Sequence, residues 1–257
     1  MNYTNKEMQV IMIARQIKDG QRVIVGTGLP LVGASLAKRT YAPNCCLLVE
    51  SGMVDGCPVE APTSVADLRF SHGASTLGET FRYFGMQNNN LRKPVMDLGF
   101  LGGAQIDPYG NLNSTSIGDY HHPSARFSGS GGANGIATYV NTVLMMQHQK
   151  RRFVEKVDYL TSPGWIDGPD GRRKMGLPAD RGPQVVITNL GLMRFDEETK
   201  RMYVAEYFPG VTPQDIQDNT GFEIDTSRAT QSVPPEPECL EILRNQIDPS
   251  RLYIGKE

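Results

Sequence analysis

Residues 22–52 read RVIVGTGLPLVGASLAKRTYAPNCCLLVESG. The β-branched run Val23-Ile24-Val25 predicts a buried strand. Gly26-Thr27-Gly28-Leu29-Pro30 is a sharp turn, and Leu31 to Arg39 has helical character, with Leu31, Ala34 and Leu36 free to pack on a sheet. Cys45-Cys46-Leu47-Leu48-Val49 predicts a second buried strand, with Glu50 at its carboxyl end and Ser51-Gly52 directly after. A strand, turn, helix, strand order implies a parallel pair with a crossover helix, the unit of an α/β fold.

The same reading extends in both directions. Upstream, Thr4-Asn5-Lys6-Glu7 has capping-box spacing, with Met8, Ile11, Met12 and Ile17 at helical intervals and Gly20 as a stop. Downstream, strands are predicted at Val95–Leu101, Thr142–Met146, Lys156–Leu160 and Gln184–Thr188. Leu192–Phe195 and Arg201–Tyr207 flank Asp196-Glu197-Glu198-Thr199-Lys200 as a late β-hairpin. Thr212-Pro213 opens a short helix before Gly221, and Glu236–Gln246 predicts the last one. Ser162–Gly182, rich in Gly, Pro, Asp and Arg, reads as a long surface excursion. The expectation is one domain, 1–257, with an open, mostly parallel sheet flanked by helices and a late hairpin.

The chain has 257 residues, 26 basic and 28 acidic, for a formal net charge of −2, so no basic surplus suggests nucleic acid as a partner. No apolar run approaches the roughly 18 residues that span a bilayer, and the N-terminus has no signal-peptide pattern. Four cysteines, Cys45, Cys46, Cys57 and Cys239, form neither a disulfide framework nor a CxxC pair. A cytoplasmic protein without a bound metal is expected.

Gly26 and Gly28, with Gly33 and an acid about 20 residues on, imitate a dinucleotide fingerprint. The spacing is GxGxxxxG, and Pro30 removes an amide that would face a phosphate, so the pattern is broken. Glu50 by itself reads as a solvated or ion-paired strand-end acid. Its place on rigid scaffold beside permissive backbone also suits a nucleophile with little freedom of its own. Near a thioester carbonyl a carboxylate can form an acyl anhydride. Gly129-Ser130-Gly131-Gly132-Ala133-Asn134-Gly135 is either a flexible turn or a nest of backbone donors for an oxyanion, opening a helix from Ile136. In Gly102–Asn113, Gln105 and Asn113 read first as residues that hold the loop and second as substrate contacts. His121-His122 precede Pro123, and neighbours in sequence point apart too far to share a metal. These two, with His72 and His148, read as packing or loop residues.

Several stretches together resemble one family. They are NYTNKEM (Asn2–Met8), VGTGLPL (Val25–Leu31), VESGMVD (Val49–Asp55), GGAQIDPYGNLNSTSIGDYHHP (Gly102–Pro123) and GSGGANGIATY (Gly129–Tyr139). RRF (Arg151–Phe153), TSPGWIDGP (Thr161–Pro169) and FDEETKRMY (Phe195–Tyr203) continue the match in order along nearly the whole chain. In these the sequence resembles the B subunits of class I CoA-transferases of the glutaconate type. Ser71–Arg92 resembles them least.

The resemblance implies that Glu50 is the catalytic glutamate. It also implies that Gly26, Gly28, Gly131, Gly132, Ala133 and Asn134 line the oxyanion and CoA site. The implied reaction is a ping-pong exchange of CoA between an acyl-CoA such as acetyl-CoA and a dicarboxylic acid such as glutaconate or 2-hydroxyglutarate. Coenzyme A is then a substrate and no cofactor is held tightly. Carboxylates are ionised near neutral pH, so no general base is called for. The implied partner is a homologous A subunit, in a higher assembly of such pairs. Arg126 is the one local candidate for a dicarboxylate's remote charge, and the partner would supply the rest. The alternatives are a CoA-dependent ring hydrolase of the same superfamily, a dinucleotide-dependent oxidoreductase and a non-catalytic subunit. The glutamate of VESG speaks against the first and the broken glycine pattern against the second.

Overall fold

The computed structural model describes residues 3–64, 67–79 and 95–255. Most of Ser71–Arg92 lies outside them. The fold divides into two compact units, Met1–Phe100 with Val233–Glu257, and Leu101–Ser232.

In the first unit α1 (Asn5–Ala14) begins at the predicted capping box. Glu7 N–H donates to Thr4 Oγ1 at 3.2 Å and Thr4 N–H to Glu7 Oε2 at 2.8 Å. Two amides that the first helical turn cannot pair internally are thereby satisfied. Glu7 is fully buried and also takes Arg244 Nε at 2.6 Å, so the cap tethers the C-terminal segment. That segment is a helix only over Pro237–Ile242, then widens into a π-type turn, Leu243–Ile247. The single helix predicted for Glu236–Gln246 is therefore two pieces.

The decisive stretch folds as predicted. β1 (Arg22–Ile24) lies parallel to β2 (Cys46–Leu48), with α2 (Leu29–Arg39) as the crossover. β3 (Met53–Val54) and β4 (Thr76–Leu77) add antiparallel edge strands beside β2. β5 (Leu98–Gly102) pairs parallel with β1 through Val23 and Ile24. A Cβ on Gly33 would come within 2.4 Å of Ile13 Cγ2. The third glycine of the apparent nucleotide pattern is thus what lets α2 lie close on α1.

The second unit starts with two short hairpins, β6 (Gln105–Ile106) with β7 (Leu112–Asn113), and β8 (Ser116–Ile117) with β9 (Ala125–Arg126). A helix follows at Ala133–Tyr139. β10 (Asn141–Met145) runs parallel to β11 (Pro183–Ile187). β12 (Gly191–Phe195) and β13 (Met202–Tyr207) form the predicted late hairpin, and β14 (Thr230–Gln231) closes that edge. The short helix Pro213–Asp218 starts at a second capping box, Thr212 with Asp215. The class is α/β, with an open, mixed sheet and helices.

Two further expectations need correction. Lys156–Leu160 is an irregular strap, because the Asp158 N–H bonds the Gln105 side chain at 3.0 Å where a strand would use a backbone ladder. Ser162–Gly182 is not a surface excursion throughout: Ser162–Trp165 and Arg172 are buried. The Arg172 guanidinium donates to the carbonyls of Ala137, Thr138, Gly164 and Pro178 at 2.7–3.2 Å. Burial brings its pKa down to about 10, which leaves it a cation near neutrality.

Candidate active site

Glu50 stands at the tip of the ribbon between β2 and β3. Gly52 N–H closes the turn on Val49 O at 2.9 Å, and Val49 N–H returns to Met53 O at 3.0 Å. Gly52 has φ +96°, and a Cβ there would meet Gly78 O at 1.9 Å, so only glycine fits. Gly78 N–H donates to Gly52 O at 2.7 Å, fixing the far side of the turn. Glu50 is half-buried, and among the described residues its carboxylate has no hydrogen bond or ion pair. Its backbone is held, and among the described residues its carboxylate is not in an ion pair.

The parallel register decides what lies beside it. β1 and β2 pair Arg22 with Cys46, Val23 with Leu47 and Ile24 with Leu48, and Val25 N–H continues to Leu48 O at 3.0 Å. Gly26 and Glu50 each follow two residues after the last paired positions of these adjacent strands, Ile24 and Leu48. Gly28 caps α2 at φ +90° with no side-chain cap bond. The predicted Gly26–Pro30 turn and Glu50 thus both follow the carboxyl ends of adjacent parallel strands, where α/β sheets collect ligands.

Gly131 has φ +49° and is exposed, and Gly132 is the N-cap of the helix Ala133–Tyr139. Ala133 N–H already bonds Ser130 O at 2.9 Å, which removes one donor from the predicted nest. The Asn134 amide donates to Thr161 O at 2.9 Å, tying the segment to the residue just past the Lys156–Leu160 strap.

Gln105 and Asn113 are buried and fully employed. Asn113 Nδ2 donates to Gln105 Oε1 at 2.8 Å and to Ser116 O at 2.7 Å. Gln105 Nε2 donates to Asp158 Oδ2 at 3.0 Å. Of the two roles the sequence allowed them, this is the loop-holding one. Asp107 beside them accepts from the Tyr109 and Asn111 amides, and burial pushes its pKa up to about 6 against those bonds. Arg126 is exposed, donates to Tyr120 O at 2.5 Å and lies 4.6 Å over the Tyr120 ring.

His148 is buried between the Thr188 and Thr220 hydroxyls and stacks on Phe153 at 4.0 Å between ring centres. Burial lowers its pKa to about 4, so it is a neutral packing residue. His121 and His122 lie in an exposed turn, their N–H groups on Asp119 Oδ1 at 2.9 Å. Among the described residues no group of His, Cys, Asp and Glu could hold a metal ion, and no helix is long and apolar enough to cross a membrane.

Sequence reading missed the parts that hold Glu50 in place. Gly78 carries no local signal, since its role is set by backbone approaching from 26 residues away. Asp55, which pairs with Lys38 at 2.6 Å, is marked by no local pattern in the sequence.

The fold is an α/β one with an open, mixed sheet, and Glu50 stands on the turn that follows β2. The Coenzyme A transferase family model matches residues 6–219, and the chain belongs to that family. It is 59% identical over 254 residues to the B subunit of glutaconate CoA-transferase from Acidaminococcus fermentans, covering 98% of this chain and 96% of that one. It is 38% identical over 247 residues to the B subunit of 3-oxoadipate CoA-transferase from Pseudomonas knackmussii, covering 94% and 92%. The crystal structure of glutaconate coenzyme A-transferase from Acidaminococcus fermentans superposes with a TM-score of 0.96 at 58% identity, covering 100% of this chain and 99% of that chain.

Proposed function

We propose that this chain is the B subunit of a glutaconate-type CoA-transferase and that Glu50 is its nucleophile. One observation carries the assignment of Glu50: its carboxylate has no partner among the described residues, on a turn whose backbone is fixed on both sides. A Glu50 oxygen attacks the thioester carbonyl carbon of the donor acyl-CoA. The C–S bond breaks, CoA leaves as thiolate, and an acyl-glutamyl anhydride remains. The thiolate sulfur then attacks the Glu50 Cδ, the bond from Cδ to the acyl oxygen breaks, and the donor acid departs. The enzyme now carries a glutamyl-CoA thioester. The acceptor acid reverses both steps and leaves with CoA, returning Glu50 as carboxylate. Bonds broken and formed are alike, so the exchange needs no nucleotide triphosphate.

The backbone at Gly26 and Gly28 is assigned to the thioester side, supported by the parallel register that ends β1 and β2 side by side just before Gly26 and Glu50. Gly131, Gly132, Ala133 and Asn134 are assigned to the oxyanion and CoA contacts, supported by the resemblance and by the exposed backbone at Gly131. The engaged amide of Ala133 shifts the donor role to its glycine neighbours. A homologous A subunit completes the enzyme, with glutaconate or a related dicarboxylate as acceptor, and the pair works in the cytoplasm. Arg126 remains the local candidate for the remote carboxylate.

The test is covalent. The chain co-purified with its A subunit is incubated with acetyl-CoA and analysed by mass. A CoA adduct on Glu50 that borohydride removes is expected, and Glu50→Ala should lose both adduct and turnover. Full transfer activity in Glu50→Ala would end the proposal.

A further inference from the structure

The ribbon that carries Glu50 is thin. β2 and β3 share one residue pair, Leu48 with Val54, and β3 is two residues long. A ribbon this short does not hold itself in water. The Gly52–Gly78 bond fixes its tip, and its base is fixed by a side chain from α2. Lys38 Nζ donates to Asp55 Oδ1 at 2.6 Å and to Cys45 O at 2.7 Å. Cys45 immediately precedes β2 and Asp55 immediately follows β3, so one ammonium ties both legs of the ribbon together.

Asp55 sits at φ +59°, in the left-handed region. Asp tolerates that region better than most residues, but it persists only where the surroundings demand it. Here they do: Asp55 N–H bonds Leu47 O at 2.6 Å, and Ser75 Oγ reaches the second carboxylate oxygen at 3.4 Å. Burial works against the charge on Lys38, but the hydrogen bond and charge of Asp55 outweigh it and hold the ammonium above its ordinary pKa. The neighbouring Cys45 thiol is pushed up to about 11 by burial, so it does not compete for that cation as a thiolate. Lys38 lies in the last turn of α2, and the first turn of the same helix begins at Gly28. One helix therefore begins at the glycine turn that follows β1 and clamps the legs of the ribbon that carries Glu50.

We propose that Lys38 and Asp55 are a positioning pair that sets the reach of the Glu50 carboxylate toward the Gly26–Gly28 backbone. The proposal rests on Glu50 being the nucleophile. Neither residue touches the reacting atoms. They act through the ribbon, and misplacement of a reacting group by about 1 Å lowers rates about 100-fold.

The experiment follows formation of the CoA adduct on Glu50 from acetyl-CoA, in the complex with the A subunit. Lys38→Met and Asp55→Asn are expected to slow it about 10- to 100-fold, with little change in the half-saturating acetyl-CoA concentration. Asn is also at home in the left-handed region, so Asp55→Asn reports the ion pair and not the backbone. Lys38→Arg keeps the charge and should recover most of the rate. Glu236→Gln, which breaks a pair with Arg15 elsewhere in the same unit, is the control for a general loss of stability and should label at the parent rate. If Lys38→Met does not fold, Asp55→Asn and Lys38→Arg decide. A folded Asp55→Asn or Lys38→Met protein that labels at the parent rate overturns the pair alone, as does a slowdown matched by Glu236→Gln. An adduct that persists in Glu50→Ala overturns the pair together with the reading of Glu50.

Discussion

Two turns punctuated by glycine, Val49–Gly52 and Asp107–Asn113, carry acid and amide side chains of similar chemistry. In the second, the polar side chains of Asp107, Asn111 and Asn113 bond to neighbouring groups, and Asn113 is fully buried. In the first, the backbone is bonded on both sides and the Glu50 carboxylate is bonded to nothing described. A saturated polar group is structure, since its bonds are worth more to the fold than to a ligand. A charged group left open on a fixed frame is available for chemistry. The contrast can be broken by exchanging the two properties.

The largest effect is expected from Gly52→Ala. Its Cβ would overlap Gly78 O at a φ that alanine avoids, so the tip must move. Turnover of the folded complex should fall by about 100-fold or more, read by kcat alongside the thermal midpoint. Next, Glu50→Asp withdraws the oxygens by one methylene, about 1 Å, on an otherwise intact frame. A fall of about 100-fold in the rate of adduct formation is expected, with unchanged stability. If Glu50→Asp matched the parent, reach would not be limiting and the fixed turn would lose its meaning.

Asn113→Ala should behave in the opposite way. It strands the Thr115 and Ser116 amides and takes one of two donors from the Gln105 side-chain oxygen, which keeps the Asp158 N–H. Denaturant titration should show a loss of about 1–3 kcal/mol, while kcat of the protein that remains folded stays near the parent value. A large kcat effect with no loss of stability would return Asn113 to the substrate contacts.

The smallest effect concerns Glu7. Burial alone would raise its pKa, but Arg244, the Thr4 amide and Arg251 outweigh it and hold the carboxyl below its ordinary 4.5. A depressed folded pKa means stabilisation that is complete above the unfolded value and fades as pH falls through the lower folded one. The stability gap between the parent and Glu7→Gln, about 2 kcal/mol near neutrality, should therefore shrink as the solution is acidified below 4.5. A gap independent of pH would mean that the charge is not what Glu7 contributes.

What could be read without coordinates was whatever is encoded within about five residues. The Thr4–Glu7 box, the β1–α2–β2 unit, the Asp196–Lys200 hairpin turn and Glu50 at a strand end are all local patterns. What could not be read depends on distant approach. Gly33 looked like part of a phosphate turn because its partner, Ile13, lies 20 residues back on another helix. Lys156–Leu160 alternates like a strand, but a side chain from 53 positions away takes the backbone bond a strand would need. Lys38 on its own is an ordinary basic helix end; its role appears only when Asp55 is folded beneath it.

The buried Arg172 has a consequence for the order in which the chain acquires its shape. It supplies donors to carbonyls at the end of the helix Ala133–Tyr139 from 34 and 35 positions downstream. On a ribosome, that helix end must wait for dozens more residues to be made before its last acceptors are filled. That helix end therefore gains these donors only once Arg172 has been made, well after the residues of the ribbon bearing Glu50.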